Sequence, residues 1–221
     1  MTTLVLADLG PLAQLRAGRL TRRIPQLLLG LVLYGVSLGL MVRGGLGLAP
    51  WDVLHSGVAR HLRLTLGETV MVISVVVLIA WIPLRERPGV GTVANALLIG
   101  PSADATLALL HQPTSLPVRV AFTAVGIALC GFATAFYIGA QFGRGPRDGL
   151  MTALARRTGW SLRVVRTGLE LSVIVVGLAL GGSLGLGTIA FAVLIGPLAQ
   201  HWLPACMVPV QARAMASRAS R

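Results

Sequence analysis

Gly47-Leu-Ala-Pro-Trp-Asp52 recurs 96 positions later as Gly143-Arg-Gly-Pro-Arg-Asp148, so the pattern Gly-x-x-Pro-x-Asp occurs twice in the chain. When the sequence is shifted against itself by these 96 positions, residues 30–104 align with 126–200 without a gap. About 22 of roughly 75 positions are then identical. Apolar composition alone does not align glycine, proline and aspartate residues. The pattern therefore predicts two tandem copies of one structural unit.

A second block of matches lies further along each copy. Gly89-Val-Gly-Thr92 aligns with Gly185-Leu-Gly-Thr188, and Leu98-Ile-Gly-Pro101 aligns with Leu194-Ile-Gly-Pro197. Each copy is interpreted as a span, a Gly/Pro/Asp loop, a short helix, a second span, a Gly-rich turn and a third span.

Long apolar runs separate these motifs. Hydrophobic residues make up 55% of the chain and charged residues 12%, about half the charged share of an ordinary soluble domain. Six runs have roughly the length of about 20 residues that crosses a bilayer. They are residues 24–42, 66–84, 90–110, 120–140, 162–180 and 184–201. We predict an all-α membrane protein with about six transmembrane helices.

The segments that start at the two Gly-x-x-Pro-x-Asp motifs, residues 50–59 and 146–155, are too short to be spans. A helix of about ten residues covers about half of a bilayer. We predict two half-helices that enter the membrane without crossing it. Three spans per copy is an odd number, so the second copy is expected upside down, giving two inverted three-span repeats. The alternative is eight spans in parallel repeats.

All 19 basic residues are arginines, and their positions indicate the orientation of the chain. With six spans and a cytoplasmic N-terminus, 15 arginines lie inside and four outside, and the turn at 181–185 faces outward. The eight-span alternative places 14 inside and five outside, so the arginine count does not separate the two. Because the arginines lie between spans, the net charge of +12 indicates contact with anionic headgroups and not with nucleic acid.

These features predict one membrane domain with both termini in the cytoplasm. Its parts are a cytoplasmic arm (residues 1–23), the first repeat (24–111), the second repeat (118–204) and a basic cytoplasmic tail (205–221). Cys130 and Cys206 lie in or beside apolar runs and are interpreted as small buried hydrophobic residues.

The Gly-x-x-Pro-x-Asp motif has a direct physical meaning at a helix start. Proline at the first helical position loses no hydrogen bond, and aspartate in the first turn faces free N–H groups and the positive end of the helix dipole. One interpretation is that Pro50 with Asp52, and Pro146 with Asp148, only start two short helices. The other is that these helix starts also line a substrate site, as half-helix ends do in transporters.

Other polar residues are candidates for the same site. Trp51 can anchor at the interface or stack on a ligand, and Arg147 at the equivalent position can bind an anion. An ionisable residue at membrane depth also indicates function. The candidate substrate-binding residues are Asp52, Asp148, Trp51, Arg147, Asp104 and Glu170. Glu170 can alternatively pair with Arg166, four residues earlier.

Gly100-Pro101 and Gly196-Pro197 lie inside the third and sixth spans. Proline removes a helical hydrogen bond and its ring clashes with the preceding turn, so both helices are expected to kink or break there. The break either packs against a neighbouring span or leaves carbonyls free beside Asp104. The structural motif residues are therefore Gly47, Pro50, Gly143, Pro146, Gly100, Pro101, Gly196 and Pro197.

No enzyme constellation is present in the sequence. The four histidines are scattered without metal-ligand spacing, and no Walker loop occurs. We predict a protein that is not an enzyme, with no metal and no cofactor.

Several stretches resemble a known family. Leu33-Tyr-Gly35, residues 44–52, Tyr137-Ile-Gly139 and Gly145-Pro-Arg-Asp-Gly-Leu-Met151 are similar to the YczE/YyaS/YitT family of bacterial integral membrane proteins, above all its YczE branch. The resemblance covers residues 20–205. It implies a small multi-span protein of the bacterial cytoplasmic membrane and supplies no established substrate or reaction.

We interpret the chain as a transporter or permease for an unknown small molecule. The alternative is a non-transporting accessory or regulatory protein that supports another membrane complex. The expected partners are the lipid bilayer, the unknown substrate, and a second copy of the chain or another membrane protein.

Overall fold

The computed structural model describes residues 10–210, and these residues form helices joined by short loops. The helices are α1 (Pro11–Arg16), α2 (Leu20–Gly44), α3 (Pro50–Leu62), α4 (Leu66–Leu84), α5 (Val90–Leu109), α6 (Leu116–Gly139), α7 (Pro146–Thr158), α8 (Leu162–Ala179) and α9 (Leu186–Cys206). The prediction of an all-α protein is confirmed for this part of the chain. Most of the predicted tail and the first nine residues of the predicted arm lie outside the described residues.

Five helices, α2, α4, α5, α6 and α9, are long and apolar enough to cross a membrane. They match five of the six predicted spans, so the chain is a multi-pass membrane protein. The remaining predicted span is α8, which has 18 residues and includes Arg163, Arg166 and Glu170. These three charges set α8 apart from the five apolar helices.

The two short helices have 13 residues each, a few more than the sequence predicts. At 1.5 Å per residue each is about 20 Å long, which is still less than the hydrocarbon thickness of about 30 Å. Helices α3 and α7 therefore have the length of membrane half-helices.

The helices of the two halves start at equivalent positions. Helices α6, α7, α8 and α9 begin 96 residues after α2, α3, α4 and α5, respectively. Local chemistry explains this correspondence, because the same start signals recur. Thr65 before α4 accepts a hydrogen bond from the Glu68 N–H, and Ser161 before α8 accepts one from the Val164 N–H.

Helices α2 and α6 form a central antiparallel pair. A Cβ on Gly30, near the start of α2, would lie 2.8 Å from the backbone nitrogen of Tyr137 near the end of α6. At the opposite end of the pair, a Cβ on Gly44 would lie 2.2 Å from the Thr123 hydroxyl oxygen. Glycine at these positions allows the close backbone approach on which helix packing in membranes depends.

The other helices surround this pair in an equivalent arrangement. Helix α5 packs on α2 and α9 packs on α6, whereas α3 packs on α8 and α7 packs on α4. The half-helix of each copy is thus held by the middle helix of the other copy. The two half-helices consequently lie between the halves of the bundle.

Helices α5 and α9 are continuous through Pro101 and Pro197, so neither helix breaks there, and a kink at these prolines stays a prediction. Proline has no N–H to donate to the carbonyl four residues earlier in the helix. In membrane proteins, neighbouring helices and polar side chains can supply a donor to that carbonyl. Around Pro101, α4 packs closely on α5, since a Cβ on Gly100 would lie only 2.3 Å from the Gly67 carbonyl oxygen.

The two halves differ in one contact. Helices α4 and α5 pack closely through Gly67 and Gly100, but no comparable packing joins their counterparts α8 and α9. A Cβ added to Gly196, the counterpart of Gly100, would meet no atom within 4 Å. The counterpart of Gly67 is Arg163, whose long side chain does not allow the same approach.

Candidate functional site

The starts of α3 and α7 are held in place by glycine loops. Gly47 has a φ of 122° and Gly143 a φ of 100°, which is backbone that favours glycine. Each loop accepts a backbone hydrogen bond from a helix of the other copy: the Gly187 N–H donates to the Leu46 carbonyl, and the Gly91 N–H donates to the Phe142 carbonyl, both at 2.7 Å. These hydrogen bonds hold the first turns of α3 and α7 inside the helix bundle.

A polar cluster lies where these helix starts meet. Asp52, only 3% exposed, has its Oδ1 2.8 Å from Nδ1 of His55, which is fully buried on the same helix. Nη2 of Arg147, the second residue of α7, lies 3.7 Å from the same Oδ1 atom. The Arg147 guanidinium also lies over the indole of Trp51, 5.3 Å from the ring centroid. The two copies therefore contact each other through these side chains.

Asp148, the counterpart of Asp52, has a different partner. The Tyr137 hydroxyl on α6 donates a hydrogen bond of 3.1 Å to Asp148 Oδ2. Tyr137 in turn contacts Tyr34 on α2 edge to face, with centroids 6.3 Å apart. We call Trp51, Asp52, His55, Tyr137, Arg147 and Asp148 the polar centre.

Neither aspartate caps its own helix with its side chain. Within the described residues, the carboxylate of Asp52 contacts His55 and Arg147, and that of Asp148 accepts from Tyr137. No hydrogen bond joins either carboxylate to a backbone N–H of α3 or α7. The carboxylates thus face the interior of the bundle, where they interact with side chains from three helices.

Two buried nitrogens of the polar centre have no hydrogen-bond partner among residues 10–210. They are Nε2 of His55 and Nε1 of Trp51. Buried polar atoms are nearly always hydrogen-bonded, and leaving one unpaired costs about 1–3 kcal/mol. Such an arrangement is typical of a site that binds water or a polar ligand.

The remaining predicted site residues lie elsewhere. Asp104 accepts hydrogen bonds from the Gly67 N–H, at 2.8 Å, and from the Thr65 hydroxyl, and so binds the start of α4. Glu170 pairs with Arg166 on α8 at 2.8 Å. The structure therefore places Asp104 and Glu170 in local contacts and joins neither of them to the polar centre.

Sequence reasoning missed His55 and Tyr137 as members of the centre. His55 follows Asp52 by three residues, a spacing at which side chains meet on a helix, so the sequence contained a usable signal. Tyr137 had no such signal, because its contact with Asp148 depends on the loop between α6 and α7.

A second missed pair is Arg23 and Arg119, which also stand 96 positions apart. Arg23 on α2 is fully buried and donates to the carbonyls of Ala140 and Gln141 after α6, both at 2.8 Å. Arg119 on α6 donates to the carbonyls of Gly44 and Gly45 at the end of α2, at 2.9 and 2.8 Å. The shared spacing of the two arginines was the available signal.

These observations define the class of the protein: a multi-pass α-helical membrane protein in which the starts of two short helices meet at a polar centre. The family described as "Family of unknown function (DUF6198)" matches residues 21–204. The chain belongs to this family, and the predicted resemblance to YczE and YyaS is confirmed by its relatives.

The relatives match over most of their length. A Haemophilus influenzae chain named "Uncharacterized protein" is 42% identical over 182 residues, which cover 82% of this chain and 84% of the relative. The Bacillus subtilis "Uncharacterized membrane protein YczE" is 31% identical over 177 residues, with 79% and 82% covered. The "Uncharacterized protein YyaS" of the same organism is 26% identical over 180 residues, with 80% and 90% covered. No solved structure matches the chain.

Proposed function

We propose that this protein transports a small polar molecule across the cytoplasmic membrane, with the polar centre as its binding site. The observation that carries the proposal is the meeting of two half-helix starts, Trp51–Asp52 and Arg147–Asp148, at a buried cluster with two unpartnered nitrogens. Half-helix ends that meet inside a membrane bundle are where many transporters bind substrates and ions.

We further propose that the two copies are inverted repeats and that α8 crosses as the sixth span. The antiparallel packing of α2 and α6 supports this arrangement. If a two-fold axis relates two antiparallel helices, it runs perpendicular to them, which for membrane helices is in the membrane plane. The equivalent bonds of Arg23 and Arg119 support the same axis. In many transporters, alternating access arises when one such repeat moves against the other around a fixed binding site.

The charges of the centre bear on what it binds. Asp52 and Asp148 are two carboxylates; Arg147 lies 3.7 Å from Asp52, whereas Asp148 accepts a hydrogen bond from the neutral Tyr137 hydroxyl. An isolated charge in the hydrocarbon core costs at least about 3 kcal/mol, so the second carboxylate needs a counter-charge. A proton on His55, or a cation that arrives with the substrate, supplies it. The transporter is therefore proposed to couple to a proton or a small cation.

The test is charge movement in proteoliposomes on a solid-supported membrane. The protein would be challenged with phosphate, glutamate, alanine and putrescine, each with and without a pH gradient. We expect a solute-dependent current that empty liposomes lack and that Asp52→Asn and Asp148→Asn abolish, since asparagine has nearly the size of aspartate but carries no charge.

The matched control is Glu170→Gln, which removes a carboxylate that pairs only with Arg166 on the same helix. This variant should keep the current. If folded wild-type protein gives no current with any solute, the alternative of a non-transporting accessory protein is favoured. If current persists in both asparagine variants, transport stands but the polar centre is not its site.

A further inference from the structure

A cavity of about 390 Å³ opens at the end of the bundle where α4 ends and α5 begins. Its walls come from the end of α4 and the α4–α5 turn, the start of α5, the end of α6 and the loop after it, both ends of α7 and the short helix α1. Four arginines line it, and Glu86 is the one acidic residue among the lining residues. The arginines are Arg85, Arg87, Arg144 and Arg156. This cavity is separate from the polar centre, none of whose six residues lines it.

Most of this positive charge is not neutralised by the protein. Glu86 pairs with Arg156. Within residues 10–210, the side chains of Arg85, Arg87 and Arg144 make no hydrogen bond and no ion pair with another residue. Arg85 and Arg87 stand on one wall, and Arg144 stands on the loop after α6. Three arginines thus line one cavity without an acidic partner among residues 10–210.

Part of the cavity lining is uncharged and closely packed, and it is formed by Trp81 and Gly149. The indole of Trp81 lies against Gly149, and its Nε1–H donates to the Pro146 carbonyl at 3.1 Å. On the wall, the Thr92 hydroxyl donates to the Arg144 carbonyl at 2.6 Å. These contacts hold the backbone of Arg144 and of Pro146, two residues further on.

The opposite end of the bundle shows that the repeat does not require such a cavity. Ninety-six positions on, the counterparts of Arg85, Glu86 and Arg87 are Gly181, Gly182 and Ser183. That turn packs onto α3: a Cβ on Gly182 would lie 2.2 Å from the Val53 carbonyl oxygen. At that end, the backbone of the turn fills the space that corresponds to the cavity, and the three charged side chains of the α4–α5 turn have no counterpart. Arg85, Arg87 and Arg144 thus have no arginine at the equivalent positions, which are Gly181, Ser183 and Leu48.

We propose that this arginine cavity binds a phosphate-bearing anion. Guanidinium groups bind phosphate with paired N–H donors, and three of them match the several oxygens and the double negative charge of a phosphate monoester better than one carboxylate. The volume accommodates a phosphorylated small molecule, and the position at the end of the spans gives equal access to a phospholipid headgroup. The proposal does not depend on transport.

The experiment measures binding to the purified full chain in nanodiscs, with two arms that separate the sources of phosphate. In the first arm, glycerol 3-phosphate and inorganic phosphate are titrated in phosphatidylcholine nanodiscs, with glutamate as a carboxylate control. In the second arm, the melting temperature is compared between phosphatidylcholine nanodiscs and nanodiscs that contain phosphatidylglycerol.

The test variant is the triple Arg85→Gln/Arg87→Gln/Arg144→Gln. The control is Arg60→Gln/Arg63→Gln/Arg163→Gln, which lowers the net charge equally at exposed arginines outside the cavity. We expect the test triple to weaken glycerol 3-phosphate binding at least tenfold, or to abolish stabilisation by phosphatidylglycerol. The control triple should retain both. Arg87→Gln alone serves as the test variant if the triple does not fold.

The outcomes assign the ligand or overturn the proposal. Arginine-dependent binding of glycerol 3-phosphate assigns a soluble phosphate ester, and an effect of phosphatidylglycerol alone assigns a lipid headgroup. The proposal is overturned if neither arm shows binding, if both triples lose it equally, or if glutamate binds as tightly as the phosphates.

Discussion

Arg23 and Arg119 each bind the carbonyl groups at the end of the other's helix. Arg23 on α2 reaches Ala140 and Gln141, and Arg119 on α6 reaches Gly44 and Gly45, which are the equivalent residues of the other copy. The last carbonyls of a helix have no partner within it. The two arginines therefore satisfy the ends of the central helix pair and join α2 to α6 at both ends.

The first prediction is that Arg23→Gln destabilises the protein far more than Arg119→Gln. Arg23 is fully buried, donates also to the carbonyls of Gln14 and Gly18, and lies 4.2 Å from the Phe142 ring centroid. Its loss leaves buried carbonyls unpaired, and we expect a decrease on the order of 3 kcal/mol in the free energy of unfolding. Thermal unfolding in detergent measures the difference.

The control for this prediction is Arg22→Gln, one residue away. Arg22 is exposed, and its replacement should leave the melting temperature unchanged. Equal melting temperatures for the Arg22 and Arg23 variants would show that the buried bonds contribute nothing to stability.

The second prediction concerns the contact between Trp81 and Gly149. A Cβ on Gly149 would lie 1.9 Å from the Trp81 ring, so Gly149→Ala must displace the indole or α7. We expect a loss of about 1–3 kcal/mol, the usual cost of overpacking. In the background Trp81→Leu the same substitution should cost much less, because the ring is gone.

Gly168→Ala is the matched control on α8. A Cβ there meets no atom within 4 Å, so alanine should be neutral or raise stability by up to about 1 kcal/mol through its helix propensity. Both variants are measured by thermal unfolding. If Gly149→Ala melts at or above the wild-type temperature, the close packing of Trp81 on α7 is refuted.

The third prediction is the orientation of the chain, with both termini cytoplasmic. Ser183 and Arg87 are equivalent residues of the two copies, and both are exposed at turns between helices. We expect a membrane-impermeant maleimide to label Ser183→Cys in intact spheroplasts and Arg87→Cys only after permeabilisation. The native Cys130 and Cys206 are buried and should react little. Labelling of Arg87→Cys in intact spheroplasts would contradict the predicted orientation and indicate the opposite one.

The candidate site was predictable only in part. Pro50 and Pro146 start their helices as the motif predicts, because proline at the first helical position acts on its own backbone. Whether Asp52 and Asp148 cap those helices or face a site could not be read from the motif, since both arrangements need the same residues at the same spacing. Their partners, His55, Arg147 and Tyr137, settle the geometry.

Asp104 and the prolines show the opposite case. The sequence suggested a helix break at Pro101 with the Asp104 carboxylate beside it as a site residue. In the structure, Asp104 instead binds the start of α4, and α5 continues through Pro101. Local rules describe what proline removes from an isolated helix. They do not describe the neighbouring helix α4, which packs closely against α5 at Gly100.

The sequence by itself determined that the chain lies in a membrane, that it contains two copies of one unit and where most of the helices begin. Apolar runs and the start signals of helices depend on residues close together in the chain, and the 96-residue spacing is visible in the sequence itself. Only the tertiary structure decided that Arg147 meets Asp52 and that Arg23 binds Ala140. It also decided that one end of the bundle forms an arginine-lined cavity while the other is closed. These contacts join residues far apart in the chain, and they exist because α2 and α6 pack antiparallel.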